Sequence, residues 1–228
     1  MNLIEVRGVT KTFATASEAV TPIENLDLTV VRGEFVVLMG PSGSGKTTLL
    51  HLLAGIDRPT AGTVRIGADE VSAMTPAALA RWRTRGVGYV FQQYNLIPVL
   101  TAYENVEVPL LLLPLSRTRR EQMVGTALAA VGLSDRAHHL PRQLSGGQQQ
   151  RVAIARAIVT DPLLVVADEP TGNLDRAAAT RTLELFRRLV DEFGKTLVMV
   201  THDPQVAKAA DRVVHLDKGR IVAEAPHA

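Results

Sequence analysis

The 228-residue sequence contains no cysteine. This absence excludes disulfides, thiolate metal sites and cysteine nucleophiles. A strong charge of either sign is missing as well, because 25 Lys and Arg residues stand against 23 Asp and Glu residues, for a formal net charge of +2. A net charge this small gives no general reason to bind a polyanion, so we predict no nucleic-acid partner.

Long apolar segments are also missing. The most apolar run, residues 108–115, contains two prolines and is far shorter than the ~20 apolar residues that a membrane-spanning helix needs. The N-terminus carries charge early, at Glu5 and Arg7, and lacks the apolar stretch of a signal peptide. We therefore expect a cytoplasmic protein whose contact with a membrane comes through a partner.

What the sequence does contain is an alternation of strand and helix patterns. Residues 34–39, 163–167 and 196–200 are apolar runs typical of buried strands, and residues 47–54 and 176–193 have helical periodicity. Such alternation predicts a largely parallel sheet that is covered on both faces. Hydrophobic residues make up 46% of the chain, enough for a substantial core.

The beginning and the middle of the chain have different patterns. The first thirty residues read as strands, with Leu26 and Val30 in an alternating stretch, whereas helical patterns dominate up to Val159. Within the middle section we predict helix N-caps at Thr101, Thr118 and Ser134. Near the C-terminus, residues 213–216 and 220–223 bracket a turn and predict a hairpin.

A phosphate-binding loop is the strongest local signal. Residues 40–47 match G-x-x-x-x-G-K-[ST] in full, after a buried strand and before a helix. Glycines allow successive N–H groups to point at phosphate oxygens, and the following helix adds its positive end. Lys46 can reach the β- and γ-phosphates, and the Thr47 hydroxyl can bind Mg²⁺. The residues predicted to bind ATP here are Gly40, Ser42, Gly43, Ser44, Gly45, Lys46, Thr47 and Thr48.

An acidic pair follows the strand at residues 163–167. Asp168 suits the role of holding Mg²⁺, and Glu169 suits a general base that polarises the attacking water. Two acids at a strand end are, taken alone, equally typical of a surface loop. Their combination with a complete phosphate loop favours the nucleotide-binding role.

A third motif, Ser145-Gly146-Gly147-Gln148, begins a long helix. Ser145 and Gln148 have the spacing of a capping box, which any helix could use. A capping box does not require two glycines, which weaken a helix start by roughly 1 kcal/mol each. They also let bare backbone approach another group closely, and a helix N-terminus attracts anions. These residues alone do not identify the anion.

The three motifs together resemble those of the ATP-binding cassettes of ABC transporters, and the resemblance covers nearly the whole chain. It implies an α/β P-loop NTPase (RecA-like) core with a mainly parallel sheet, an N-terminal antiparallel β subdomain and an inserted helical subdomain. It also implies an Mg²⁺-dependent ATPase that forms a homodimer on binding ATP. In that family two cassettes pack head to tail, so the residues expected to contact ATP held by the other copy are Ser145, Gly146, Gly147 and Gln148.

The resemblance implies a single domain over residues 1–228. The α/β core with its β subdomain is expected to take residues 1–92 and 160–228. The helical subdomain is expected to take about residues 93–159.

Two further positions match landmarks of the family. Phe13 stands where the family often has an aromatic residue, usually tyrosine, that stacks on adenine; a core aromatic on an edge strand is the alternative. Gln92 resembles the glutamine that senses Mg²⁺ and the attacking water, although the neighbouring Gln93 could be confused with it. We favour Gln92 because of its spacing from Phe91.

His202 and Asp175 also match family positions. His202 follows the strand at residues 196–200 and resembles the histidine that hydrogen-bonds the γ-phosphate. Asp175 closes a segment, residues 171–175, that resembles the loop crossing the dimer interface. Asp175 equally suits the N-cap of the helix that begins at Arg176.

The segments at residues 92–98, 103–110, 145–151 and 201–207 resemble one branch in particular, the macrolide-exporter and lipoprotein-release (MacB/LolD-like) cassettes. This resemblance implies an integral membrane permease that docks in a groove near Tyr94–Leu100, with the chain peripheral at the cytoplasmic face. A cassette of a transmembrane signalling or cell-division complex is the alternative. A soluble cassette acting on DNA or ribosomes typically carries a long insertion or a second cassette, and neither is visible here.

Overall fold

The computed structural model describes residues 1–14 and 18–226, so residues 15–17, 227 and 228 of the expected single domain lie outside the described residues. The strands are β1 (Asn2–Ala14), β2 (Ala19–Val31), β3 (Phe35–Met39), β4 (Ala61–Ile66), β5 (Asp69–Glu70), β6 (Val87–Val90), β7 (Leu164–Asp168), β8 (Thr196–Val200), β9 (Arg212–Asp217) and β10 (Arg220–Pro226). The helices are α1 (Lys46–Leu53), α2 (Pro76–Gly86), α3 (Ala102–Glu107), α4 (Arg117–Ala130), α5 (Gly146–Ile158), α6 (Arg176–Asp191) and α7 (Pro204–Ala207), with 3₁₀ helices at Val71–Ala73, Val108–Leu112, Ser134–Arg136 and Pro141–Gln143.

The larger sheet has six strands in the order β10-β9-β3-β8-β7-β6. The five strands from β9 to β6 run parallel, and only β10 pairs antiparallel. This confirms the predicted mainly parallel sheet. The buried strands predicted from the apolar runs are β3, β7 and β8, with boundaries shifted by at most one residue.

The central strands are buried on both faces. Phe35 and Val37 of β3 belong to the core cluster that α3–α6 build on one face. Val36 and Leu38 belong to the cluster formed with α1 and the smaller sheet on the other face. Because successive strand side chains point to opposite faces, a strand covered on both sides must be continuously apolar.

The smaller sheet is antiparallel, with strands in the order β2-β1-β4-β5. Leu26, Leu28 and Val30 of β2 are buried, as the alternating pattern predicted. Their side chains join Leu49 and Leu50 of α1 in one cluster. The smaller sheet therefore covers the face of the larger sheet on which α1 lies.

Residues 91–163, all of which the structure describes, contain helices and no strand. The predicted N-cap at Thr101 is confirmed, since its hydroxyl accepts from the Glu104 N–H in a capping box. The prediction at Thr118 is wrong, because Ser116 caps α4 by accepting from the Arg119 N–H at 3.2 Å. Ser116 comes first along the chain and has the extended backbone of a cap, so Thr118 lies inside the first turn.

The predicted N-cap at Ser134 is also wrong. Ser134 begins a 3₁₀ helix of only three residues, and no side-chain cap precedes it at Leu133. The helical patterns on either side of this turn belong to α4 and α5, so Ser134 lies in the connection between them.

The predicted C-terminal hairpin is confirmed by the pairing of β9 with β10. Its turn lies beside the loop that joins β3 to α1. The N–H of Gly219 donates to the carbonyl of Ser44 at 3.1 Å, and the N–H of Glu24 in β2 donates to the carbonyl of Gly219 at 3.1 Å. The hairpin therefore supports the phosphate loop from the side.

The carboxyl ends of the parallel strands meet at one edge of the larger sheet. The phosphate loop follows β3, His202 follows β8, Asp168 and Glu169 end β7, and Gln92 follows β6. The edge beyond the carboxyl ends of such strands is the usual place for a ligand in an open α/β sheet. Within the described part of the chain, no helix is long and apolar enough to cross a bilayer.

Candidate functional site

The phosphate loop encloses a cavity of about 360 Å³ at this edge. Its shape depends on glycine at two positions. A Cβ atom on Gly40 (φ +148°) would lie 2.0 Å from the carbonyl oxygen of Leu216, and one on Gly45 (φ +98°) would lie 2.2 Å from that of Pro22. All eight loop residues predicted to bind ATP line the cavity, together with Pro22, Glu169, Val200 and His202.

The ammonium group of Lys46 is held by the loop itself. Its Nζ donates to the carbonyl oxygens of Gly40 and Pro41, both at 2.8 Å, and approaches Oγ of Ser44 at 3.3 Å. These contacts keep the positive charge at the cavity. An anionic ligand can replace the carbonyl oxygens as acceptor, because a hydrogen bond between two charged groups is stronger than one to a neutral carbonyl.

Thr47 and Asp168 bring two oxygen ligands together. The Thr47 hydroxyl donates to Oδ1 of Asp168 at 3.5 Å, a long contact. Burial raises the pKa of the Asp168 carboxyl, with a small further rise from Glu169, while Thr47 and His51 act in the opposite direction. A hydroxyl beside one carboxylate fits Mg²⁺, which takes few protein ligands and completes its shell with water and phosphate oxygens.

Glu169 and His202 contact each other directly. Nδ1 of His202 lies 3.0 Å from Oε2 of Glu169. Glu169 has a left-handed backbone, with φ +43°, and its N–H donates to the carbonyl of Val200 at 2.9 Å. Because non-glycine residues seldom adopt this conformation, the backbone strain points to a constraint on where the carboxylate lies.

Gln92 lies beside this pair. A Cβ atom placed on Gly172 would lie 3.1 Å from Nε2 of Gln92 and 3.6 Å from Oε2 of Glu169, so Gly172 separates the two side chains. The carbonyl of Gln92 also accepts from Nδ2 of Asn173 at 3.2 Å. The residue expected to sense the attacking water therefore lies near the expected base.

The glycine motif begins α5 as a capping box. The N–H of Gln148 donates to Oγ of Ser145 at 3.3 Å, and Oε1 of Gln148 accepts from the N–H of Ser145 at 2.8 Å. Both glycines face close neighbours: a Cβ on Gly146 would lie 2.9 Å from the Tyr94 hydroxyl, and one on Gly147 would lie 3.0 Å from Cβ of Ala178. Close packing thus supplies one reason for glycine at each position.

The start of α5 has a cavity of its own, of about 230 Å³, lined by Ser145, Gly146 and Gly147 and by two arginines, Arg151 and Arg181. None of its lining residues lines the phosphate-loop cavity. Within one chain, the glycine motif and the phosphate loop are therefore separate sites.

Asp175 and Phe13 do not line the cavity of the phosphate loop. Oδ1 of Asp175 accepts from the Ala178 N–H at 2.8 Å, so Asp175 is the N-cap of α6, and it also lines the cavity at the start of α5. The ring of Phe13 is 43% exposed, which excludes the alternative of a core aromatic. Nζ of Lys11 lies 4.6 Å from the ring centroid and also donates to Oδ1 of Asp57 at 2.6 Å.

A glycine-rich loop between a buried strand and a helix, with an acidic pair ending a parallel strand of the same sheet, defines a P-loop NTPase. The ABC transporter family matches residues 23–172, which include the phosphate loop, the glycine motif and the acidic pair. The chain belongs to the ABC transporter ATP-binding family, and as such it is the ATPase subunit of a transporter.

Proteins with similar sequences agree with this assignment. The chain is 48% identical over 219 residues to an uncharacterized ABC transporter ATP-binding protein of Thermotoga maritima, covering 96% of this chain and 93% of that protein. It is 48% identical over 229 residues to the lipoprotein-releasing system ATP-binding protein LolD of Anaeromyxobacter dehalogenans, covering 98% and 94%. It is 46% identical over 224 residues to the macrolide export ATP-binding/permease protein MacB of Rhodopirellula baltica, covering 97% of this chain and 33% of that protein.

A solved structure confirms the predicted fold class. The ATP-binding cassette MJ0796, in a dimeric post-hydrolysis state bound to ADP and Pi, superposes with a TM-score of 0.89. The two sequences are 41% identical, and the superposition covers 99% of each chain.

Several residues near the candidate site were not found from the sequence. Arg151 and Arg181 line the cavity at the start of α5, and Lys11 lies over the Phe13 ring. Lys11 could have been found, because residues two apart on a strand share a face. Arg181 is on α6, far from the glycine motif along the chain, so no local sequence pattern indicates that it lies beside this motif.

Proposed function

We propose that two copies of this chain close around ATP and hydrolyse it, and that the motion drives a membrane permease of the export or lipoprotein-release type. The observation that carries the proposal is the separation of the two cavities within one chain. An anion bound at the phosphate loop can meet the glycine-tipped helix α5 only if a second copy brings that helix to it.

The phosphate loop supplies binding in this proposal. Backbone N–H groups of residues 42–48 point at the phosphates, and Lys46 exchanges its carbonyl contacts for the β- and γ-phosphates. Phe13 stacks on adenine. The partner copy adds Ser145, Gly146, Gly147 and Gln148, and the segment that ends at Asp175 lies at the interface.

Hydrolysis depends on the residues at the ends of β6, β7 and β8. Glu169 accepts a proton from the attacking water. His202 donates to the carboxylate through Nδ1, and as an imidazolium it also donates from Nε2 to the γ-phosphate. Gln92 orients the water from the other side of Gly172. Thr47, Asp168 and Gln92 would hold Mg²⁺, directly or through water, and its positive charge would be available to neutralise the phosphates.

The permease is proposed to dock over Tyr94–Leu100 and the groove beside it. Val99 is 78% exposed and Ile97 is 40% exposed, so this short segment presents two aliphatic side chains to a partner. The groove, of about 440 Å³, runs between α2, β6 and the 3₁₀ helix at Val108–Leu112. Docking there makes the chain a peripheral subunit at the cytoplasmic face of the membrane.

We further propose that the helical part, about residues 93–159, forms a subdomain that moves relative to a core of residues 1–92 and 160–228. The support is its content of α3–α5 without a strand, and the position of the groove along its boundary with β6.

The test is ATP-dependent dimerisation of Glu169→Gln. Removing the base should trap ATP, so light scattering coupled to gel filtration should show a dimer with ATP and Mg²⁺ and a monomer with ADP. The matched control is the double variant Lys46→Ala/Glu169→Gln, which should stay monomeric because it does not retain ATP. A Glu169→Gln protein that remains monomeric with ATP would contradict the proposal.

A further inference from the structure

The segment from Gln92 to Leu100 contains neither helix nor strand, and side chains from other elements bind its backbone. Asn173 donates to the carbonyl of Gln92 at 3.2 Å. The fully buried Asn105 accepts from the N–H of Ile97 and donates to the carbonyls of Ile97 and Leu100. This segment is therefore held at defined points.

The third of these side chains is Arg156, in the last turn of α5. Its Nη2 donates to the carbonyl of Tyr94 at 2.9 Å, and its Nη1 donates to the carbonyl of Asn95 at 2.6 Å. Asn95 has a left-handed backbone, with φ +49°. A planar guanidinium can bind two neighbouring acceptors at once, whereas a lysine ammonium cannot reproduce that fork.

The environment of Arg156 makes these two bonds important. Burial lowers the pKa of its guanidinium, and no carboxylate among the described residues offsets this effect. A partly buried cation without an acidic partner is costly unless other acceptors surround it. The carbonyls of Tyr94 and Asn95 are those acceptors, so the loop and the arginine stabilise each other.

Tyr94 also reaches the opposite end of α5. A Cβ atom on Gly146 would lie only 2.9 Å from the Tyr94 hydroxyl. Gly146 and Arg156 are about 15 Å apart along the helix axis, given the rise of an α-helix. The backbone of Tyr94 therefore contacts the end of α5, and its ring tip contacts the beginning.

We propose that Arg156 is a positioning residue that fixes the Gln92–Leu100 segment to the helix carrying Ser145–Gly147. The inference rests on the proposed function, in which Gln92 acts on the nucleotide of its own chain and the glycine motif acts on the nucleotide of the partner. Arg156 then sets the position of Gln92 relative to the glycine motif. It also lines the groove proposed for the permease, so a docked permease would lie against the same side chain.

The test compares Arg156→Lys and Arg156→Ala with the unchanged full chain in steady-state ATP hydrolysis. Misplacing Gln92 and α5 should lower kcat about tenfold or more. KM for ATP should change less than about twofold, because Arg156 does not line the phosphate-loop cavity. Millimolar guanidinium should restore part of the kcat of Arg156→Ala, because the vacated site opens on the groove.

The matched control is Arg120→Lys. Arg120 is also partly buried in the helical region, where it binds Glu107 and the carbonyl of Leu115, but it does not contact the Gln92–Leu100 segment. It should lose thermal stability without losing kcat. Unchanged kcat in Arg156→Lys, an equal loss in Arg120→Lys, or no rescue by guanidinium would each overturn the inference. An inactive parent chain would instead overturn the proposed function.

Discussion

Nδ1 of His202 lies 3.0 Å from Oε2 of Glu169, although the two residues follow different strands. The backbone of Glu169 is fixed by its hydrogen bond to Val200 and has a left-handed conformation. The imidazole therefore contacts a carboxylate whose main chain is already constrained. His202 orients the candidate base in addition to any contact with phosphate.

This contact predicts a selective loss of rate in His202→Ala. The carboxylate should still be present but less well oriented, so we expect kcat to fall about 100-fold or more. The dissociation constant for ATP should change by less than about threefold, because the loop contacts remain. Hydrolysis assays and calorimetry give the two quantities, and equal losses in both would point to a structural role.

The separation of the two cavities predicts complementation between two inactive variants. Lys46→Ala disables the phosphate loop, and Ser145→Asp keeps a good N-cap while placing a negative charge where a phosphate would approach. Each variant alone should be inactive. Random mixing should restore about a quarter of the activity, because half of the dimers gain one intact composite site.

The control for the mixing experiment is each variant alone at the total protein concentration of the mixture. If both motifs served the same nucleotide within one chain, no mixture could restore activity. A mixture that stays as inactive as its components would therefore contradict the head-to-tail arrangement.

The exposed ring of Phe13 predicts a loss of affinity that depends on the adenine base. Phe13→Ala should weaken ATP binding about three- to tenfold, since aromatic stacking contributes about 0.5–1.5 kcal/mol. Binding of inorganic triphosphate should not change, and Phe13→Tyr should retain the affinity. Calorimetry with both ligands measures the difference, and equal weakening of both would exclude stacking.

The buried carboxyl of Asp168 predicts a pH-dependent cost in stability. Burial raises its pKa, so the folded protein binds this proton more tightly than the unfolded chain does. The resulting stabilisation is present at low pH and is lost as the pH rises through the folded pKa. At neutral pH the ionised group is therefore unfavourable, and Asp168→Asn should raise Tm while abolishing hydrolysis.

Thermal unfolding measured from pH 8 down to pH 3.8, the ordinary pKa of an Asp carboxyl, tests the sign of this effect. The gain from Asp168→Asn should be largest at high pH and should shrink as the pH falls. Asp135→Asn is the control, because that side chain is mostly exposed and its replacement removes no buried carboxyl. A gain that is constant with pH would mean that ionisation of Asp168 is not its source.

The sequence predicted the elements whose pattern is local. The phosphate loop could be located from residues 40–47 alone, because the glycines and the lysine are needed for the backbone geometry and the phosphate contacts of the loop itself. The buried strands β3, β7 and β8 followed from continuous apolar runs. The cap of α4 could not be settled, because Ser116 and Thr118 are both good caps and the choice depends on where the chain enters the helix.

Contacts between distant segments could not be predicted from one sequence. The contact of Glu169 with His202 depends on β7 and β8 being neighbours in register. The bonds of Arg156 to Tyr94 and Asn95 join residues that are far apart along the chain, and the acceptors are backbone atoms that carry no sequence signal. The capping box at Ser145 and Gln148 gave the helix start but not the tyrosine that packs on it.

The support of Ser44 by Gly219 has a consequence for biosynthesis. Translation proceeds from the N-terminus, so the phosphate loop leaves the ribosome long before the hairpin of β9 and β10 has been made. A nascent chain therefore contains the complete phosphate-loop motif before the Gly219 N–H that donates to Ser44 has been made. The supported loop can therefore form only after the β9–β10 hairpin, residues 212–226, has been synthesised and has paired.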